Sequence, residues 1–121
     1  IDAAMKNETI NVQSKFRVYR SYIFIADLIV WLFIILIKGK SGSIYNVGSD
    51  IEIAIDGLAN KVVSLLNSKS KVRVSSLINK SNKMNYYVPD ISLAQKELNL
   101  DIWTSLDDSI LYTNDFLRTH E

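Results

Sequence analysis

The sequence predicts an α/β chain, in effect an α+β fragment, with short strands and about four helices. Apolar residues recur every three or four positions over 56–66 and 105–117, which is typical of amphipathic helices. Short apolar or alternating runs, typical of strands, lie between the helical segments. Segment 28–37 consists of ten apolar residues, so this helix must be buried on more than one side.

The first half of the chain is predicted to contain two helices among short strands. Segment 2–6 has the pattern of a helix end, and Asp27 marks the start of the apolar helix, which runs to position 37. Segment 38–40 ends that helix, because its lysines suit the negative end of the helix dipole and Gly39 is available for a left-handed cap. The predicted strands of this half are 10–12, 16–19 and 43–47.

The middle of the chain is predicted to hold one helix between strands. Segment 53–55 leads into a helix over 56–66, and 71–74 alternates like a strand. The inner stripe of this helix is Leu58, Val62, Leu65 and Leu66. Segment 79–85 is polar and patternless, which indicates a loop.

Two helices near the C-terminus are indicated by their caps. Asp90 is expected to cap the start of a helix that ends at Leu98. Ser105, with Asp108 three residues later, forms a weakened capping box for the last helix.

The composition limits the possible functions. A length of 121 residues corresponds to one domain, and a net charge of +1 produces no field that would favour nucleic acid. With no cysteine and a single histidine, His120, neither disulfides nor a metal site are expected. No signal-peptide pattern is present, so a cytoplasmic location is expected.

The apolar helix also allows a membrane-associated protein as an alternative. The apolar run 22–37 has sixteen residues, whereas a bilayer span needs roughly 20. Asp27 within it would cost about 2.5–3.5 kcal/mol on insertion scales, so no membrane partner is expected. Lys38 and Lys40 would suit the cytoplasmic end of a span and keep the alternative open.

Three motifs occur in an order that identifies a family. They are RSYIFIADL over 20–28, YNVG over 45–48 with LANKVV over 58–63, and YVPDISLAQKELN over 87–99. This arrangement resembles the C-terminal portion of the extended short-chain dehydrogenase/reductases, the NAD-dependent nucleotide-sugar epimerases and dehydratases of the dTDP-glucose 4,6-dehydratase type. The resemblance extends from Asn11 to Arg118, and RSY followed by YNVGSD is closer to the dehydratase branch.

The resemblance implies that catalytic and cofactor residues lie outside this chain. The four glycines form no G-x-G-x-x-G turn, and no tyrosine is followed by lysine four positions later. Residues 1–121 are therefore expected to be the C-terminal substrate-binding portion of an extended Rossmann-type enzyme whose N-terminal NAD-binding domain is absent. NAD is expected in the full-length enzyme and not in this chain, which should be inactive alone.

Arg20 is the first candidate for binding the nucleotide sugar. A guanidinium presents a fork of donors that matches a diphosphate, and the family's arginine at this motif position contacts the diphosphate. The alternative is a surface arginine or an ion pair with Asp27.

The resemblance also implies base and phosphate contacts at other positions. The strand residues Asn11, Val12 and Gln13 match the segment that receives the base, with Phe16 as a stacking residue, unless they form a plain edge strand. Counting back from the motif Asp90 gives Lys80 and Lys83 as phosphate contacts, unless both are solvated loop lysines.

The apolar helix predicts a contact beyond this chain. In the family its counterpart packs against the nucleotide-binding sheet, so the chain should pair with a second copy or with its missing half and bury Trp31 and Phe33. A non-catalytic, oligomerising interaction domain is the alternative function.

Overall fold

The structure is a computed structural model and describes residues 1–14, 16–75 and 83–120. Its helices are α1 (Asp2–Met5), α2 (Ile25–Lys38), α3 (Ile55–Leu65), α4 (Ser92–Leu98) and α5 (Leu106–His120). Its strands are β1 (Ile10–Val12), β2 (Arg17–Arg20), β3 (Ile53–Ala54), β4 (Val72–Val74) and β5 (Met84–Tyr87). The predicted α/β class with short strands is confirmed.

The strands form two small sheets. In one, β1 pairs in parallel with β4. In the other, β2 lies in the centre, antiparallel to β3 and parallel to β5. The register of β2 and β5 aligns Arg17 with Met84 and Arg20 with Tyr87. This pairing joins segments far apart in sequence and determines which side chains surround Arg20.

Helix α3 packs through the predicted stripe. Val62 is buried with Ala4 and Ile110, so α3 joins α1 to α5. The other stripe residues, Leu58, Leu65 and Leu66, pack against the same cluster. On its other side, Ala59 packs with Val12 beneath the first sheet. The prediction of this helix and its inner face is confirmed.

Helix α2 buries one side within the chain. Trp31 is fully buried with Ile91, Ala94 and Leu100, and its Nε1 donates to the Asp101 carbonyl at 2.8 Å. The prediction that Trp31 is buried in a contact with another copy or domain is therefore wrong, because the helix-α4 region already covers it. Exposed apolar residues form the opposite face: Ile25, Ile29, Val30, Leu32, Phe33, Leu36 and Ile37.

Asp27 connects the start of α2 to the link before α5. Its carboxylate is buried and accepts the Thr104 backbone N–H at 2.8 Å and the Thr104 hydroxyl at 2.9 Å. The helix starts at Ile25, two residues before Asp27. Asp27 therefore bonds Thr104, and the alternative in which it pairs with Arg20 does not describe this fold.

The predicted cap of α5 is confirmed, whereas that of α4 differs from the prediction. Ser105 Oγ accepts the Asp108 N–H at 3.0 Å and donates to the Asp108 carboxylate at 2.6 Å. The N-cap of α4 is Ile91, one residue after Asp90, although Asp90 Oδ1 still accepts the Ser92 N–H at 2.9 Å. Each side chain thus satisfies one of the unpaired N–H groups at the start of its helix.

Three local predictions differ from the structure. Gly39 has φ −61° instead of a left-handed conformation, and glycine is required because a Cβ would collide with the Ile35 carbonyl oxygen. Segment 43–47 forms no strand among the described residues; Tyr45 instead donates to Glu97 at 2.7 Å. The predicted loop 79–85 lies partly outside the described residues, and its Met84 and Asn85 belong to β5 because they pair with β2.

Among the described residues, no helix has the length and apolar content that crossing a bilayer requires.

Candidate functional site

Arg20 lies at the end of β2 and is held by the neighbouring strand. Its Nη1 donates to the Tyr19 carbonyl at 2.7 Å and to the Asn85 carbonyl at 3.4 Å. The guanidinium carbon lies 5.9 Å from the centre of the Tyr87 ring, within cation–π range. Within the described ranges no acceptor is bonded to Nε or Nη2, so this edge of the fork remains available for an anion.

Arg20 lines a cavity of about 450 Å³, here called the Arg20 cavity. Its other lining residues are Ser21, Ile23, Tyr45, Asn46, Val47, Gly48, Tyr87 and Pro89. Asn46 Nδ2 donates to the Asp90 carbonyl at 2.9 Å, which ties the YNVG segment to the start of α4. A Cβ on Gly48 would lie 2.8 Å from Pro89 Cγ, so only glycine permits this close approach.

A second cavity of about 410 Å³, here called the β1 cavity, lies between β1, β2 and α3. Asn11, Val12 and Gln13 line it together with Phe16. Val12 is buried, whereas Asn11 and Gln13 are exposed. Apolar walls with a few polar groups are typical of sites that accept a small molecule.

The alternation of side chains along β2 places the two cavities on one face. Val18 lines the β1 cavity and Arg20 lines the Arg20 cavity. Residues two apart in a strand point to the same side, and their Cα atoms are about 7 Å apart. The β1 cavity and the Arg20 guanidinium therefore lie along one face of β2.

The structure places Lys83 along the strand from Arg20 and not beside it. Lys83 directly precedes β5, and Tyr87 is the residue of β5 aligned with Arg20. Four residues of strand place the Lys83 Cα about 13 Å from the level of Arg20. Lys80, the other candidate lysine, lies outside the described residues.

The site also contains a residue that was not predicted from the sequence. Tyr87 contacts Arg20, whereas the neighbouring Tyr86 lies outside the site, where its hydroxyl bonds the Glu52 carboxylate on the other side of the strand. The consecutive tyrosines are visible in the sequence, but the register with β2 is not. That register depends on a pairing between segments that are more than sixty residues apart.

Three ionisable groups near the site have shifted pKa values. Burial raises the pKa of Tyr22, although nearby Arg20 opposes the shift. The hydrogen bond to Glu52 raises the pKa of Tyr86, and the Ser92 hydrogen bonds lower that of Asp90. Each of these shifts moves the pKa further from pH 7.

Among the described residues, neither a glycine-rich dinucleotide turn nor a cluster of metal-ligating side chains is formed. A dinucleotide fold needs a glycine-rich turn that leads from a strand into a helix. Gly39 ends α2, Gly48 is packed on Pro89, and Gly57 lies inside α3. In the part of the chain that the structure describes, acidic and histidine side chains form no cluster that could hold a metal.

Comparison with known proteins shows similarity to nucleotide-sugar enzymes. No family model matches the sequence. A dTDP-D-glucose 4,6-dehydratase of Dictyostelium discoideum is 31% identical over 65 residues, which are 54% of this chain and 15% of that protein. The chain thus spans a small part of the curated relative that it matches.

Solved structures show the same fold over nearly the whole chain. One is UDP-glucose 4-epimerase of Thermotoga maritima, solved with UDP-glucose. The match covers 98% of this chain and 38% of the epimerase chain, with a TM-score of 0.83 and 13% sequence identity. dTDP-glucose 4,6-dehydratase of Bacillus anthracis, in complex with NAD, matches 99% and 37% with a TM-score of 0.80 and 14% identity. UDP-glucuronic acid 4-epimerase of Bacillus cereus, with UDP-glucuronic acid and NAD, matches 98% and 38% with a TM-score of 0.79 and 16% identity.

The chain spans less than two fifths of each of these structures. The expectation from the motifs is confirmed at the level of the fold. The chain resembles nucleotide-sugar epimerases and dehydratases and has the fold of the C-terminal part of these Rossmann-type proteins.

Proposed function

We propose that this chain is the nucleotide-sugar-binding part of an NAD-dependent nucleotide-sugar 4,6-dehydratase or epimerase. The proposal depends on one observation. Arg20 lines a cavity of about 450 Å³, and the Nε–Nη2 edge of its guanidinium is available for an anion. The similar proteins act on dTDP-glucose, UDP-glucose and UDP-glucuronic acid, which share a nucleoside diphosphate. A diphosphate is the group that an arginine fork binds bidentately.

The two cavities divide the ligand between them. The base occupies the β1 cavity, where Phe16 offers a ring face and the lining segment from Asn11 to Gln13 offers polar groups. The diphosphate lies against Arg20 on the same face of β2. The Cα separation of about 7 Å between Val18 and Arg20 suits a ribose between base and phosphate. Lys80 and Lys83 remain candidate phosphate contacts, with Lys83 approaching from about 13 Å along the strand from the level of Arg20.

In this proposal the chain binds and orients the substrate and supplies no catalytic group. NAD and the proton-transfer residues belong to a cofactor domain outside residues 1–121. The chain alone is then inactive, and its location is the cytoplasm. The exposed face of α2 is covered in the functional protein by that domain or by a second copy.

A second candidate function is a non-catalytic, oligomerising interaction domain. The observation that favours it is the exposed face of α2, on which Leu36 is 79% and Ile37 is 75% exposed. Soluble monomers rarely expose contiguous apolar patches beyond a few hundred Å². Binding of a nucleoside diphosphate distinguishes this candidate from the first.

The test is a calorimetric titration of UDP and dTDP into the intact protein that carries this chain. Arg20→Ala should weaken binding by about 10- to 150-fold, because a hydrogen bond to a charged group contributes about 1.5–3 kcal/mol. Arg20→Lys should lose part of the affinity, since lysine keeps the charge without the fork. Arg118→Ala, at an exposed arginine of α5, is the charge-matched control. Unchanged affinity in a folded Arg20→Ala protein would refute the proposal.

A further inference from the structure

We infer that Tyr87 is a positioning residue for Arg20: its ring holds the guanidinium so that the Nε–Nη2 edge faces an incoming diphosphate. The inference rests on the proposed function, because it concerns the same anion site. Tyr87 lies outside the residues predicted from the motifs to bind substrate.

The register of the sheet brings the two side chains together. Arg20 and Tyr87 are aligned Cα partners in the parallel β2–β5 pair. Aligned residues of adjacent strands point to the same face of a sheet, so both side chains emerge side by side. The guanidinium carbon accordingly lies 5.9 Å from the ring centre, at the outer part of the cation–π range.

The ring complements the hydrogen bonds of Arg20. Both bonds involve Nη1, which donates to the carbonyls of Tyr19 and Asn85. With Nη1 bonded and Nε tethered through Cδ, the guanidinium plane can still tilt about the line that joins Cδ to Nη1. A ring beside the guanidinium restricts this rotation, and the remaining edge is then pre-ordered for a bidentate contact.

The surroundings of Tyr87 favour this role over core packing. Tyr87 is 74% exposed, and it lines the Arg20 cavity. Within the described ranges its hydroxyl makes no hydrogen bond, so the ring face is the part in use. The preceding Tyr86 differs, because it packs on Tyr19 with 6.0 Å between ring centres and bonds Glu52.

Tyr86 therefore provides a matched control on the opposite face of the same strand. Titration of UDP and of inorganic pyrophosphate into the intact protein compares Tyr87→Phe, Tyr87→Leu and Tyr86→Leu. Tyr87→Phe keeps the ring and should retain wild-type affinity. Tyr87→Leu should lower the affinity for both ligands about two- to five-fold, the effect expected from loss of an exposed cation–π contact. Tyr86→Leu should leave both affinities unchanged.

A double-mutant cycle separates positioning from direct contact. In an Arg20→Ala background, Tyr87→Leu should cause no further loss, because its effect passes through the guanidinium. A loss of the same size in both backgrounds would overturn the inference, as it would mean that the ring contacts the ligand itself. Tyr87→Gln repeats the measurement if the leucine variant fails to fold by circular dichroism.

The two proposals fail in different ways. If Arg20→Ala leaves UDP affinity unchanged, the proposed function fails and the positioning role fails with it. If Arg20→Ala weakens binding and Tyr87→Leu does not, the anion site stands and the positioning role alone is refuted.

Discussion

Replacing Asp27 by alanine tests the connection between α2 and the segment before α5. The Asp27 side chain is 5% exposed, and its oxygens accept two hydrogen bonds from Thr104, at 2.8 and 2.9 Å. A hydrogen bond to a charged group contributes about 1.5–3 kcal/mol, and leaving the Thr104 N–H unsatisfied adds about 1–3 kcal/mol. Removal of the buried charge returns part of its desolvation cost. We expect Asp27→Ala to lower the free energy of unfolding by about 3 kcal/mol.

The assay is urea unfolding followed by far-ultraviolet circular dichroism at neutral pH. Thr104→Val removes only the hydroxyl bond to the carboxylate and should cost about 1.5 kcal/mol, the lower end of the range for a bond to a charged group, since the backbone N–H still reaches the carboxylate. The double variant Asp27→Ala/Thr104→Val should lose less than the sum of the two single losses, because both act on one contact. A loss below about 0.5 kcal/mol in Asp27→Ala would refute the reasoning, because this value is typical of surface substitutions.

Two further predictions concern acid stability and the isolated chain. Glu97 accepts hydrogen bonds from Lys40 and Tyr45, both at 2.7 Å, and these bonds hold its pKa below the ordinary 4.5. The resulting stabilisation is present above pH 4.5 and is lost as the pH falls through the folded-state pKa, so Glu97→Gln should reduce the acid dependence of unfolding in that range. The purified 121-residue chain should neither retain NAD nor turn over dTDP-glucose or UDP-glucose.

Each of these two predictions can be contradicted by a defined result, and the first has a control variant. Glu8→Gln changes an exposed carboxylate before β1 and controls for the general loss of a negative charge. An acid-unfolding curve that is identical for Glu97→Gln and the wild type would show that the bonds of Glu97 do not stabilise the fold. NAD detected in the purified chain by absorbance and mass spectrometry would contradict a cofactor site outside residues 1–121.

Patterns of neighbouring residues were sufficient to predict most of the helices. Ser105 and Asp108 cap α5 as their spacing predicts, since a cap involves only neighbouring residues. The stripe of α3, including Val62, likewise follows from the helical period. At the end of α2 the outcome differed from the prediction, because Gly39 is extended and not left-handed. Glycine is needed there because a Cβ would collide with the Ile35 carbonyl oxygen.

The candidate site was predicted only in part. The motif order indicated Arg20 and the Asn11–Gln13 strand, and the structure places the strand residues on one cavity and Arg20 on another along β2. Tyr87 was missed because its role depends on the register of β5 with β2. Lys83 was proposed by counting along the chain, which does not reveal that the strand carries it away from Arg20.

The sequence by itself determined most of the helices, the cap of α5, the apolar character of α2 and the resemblance to nucleotide-sugar enzymes, because each depends on residue identity at short spacing. Only the tertiary structure decided which side of α2 is buried, as Trp31 is covered by residues from 91–100. It also decided that Arg20 lies beside Tyr87, because strand pairing between distant segments depends on the packing of the whole chain.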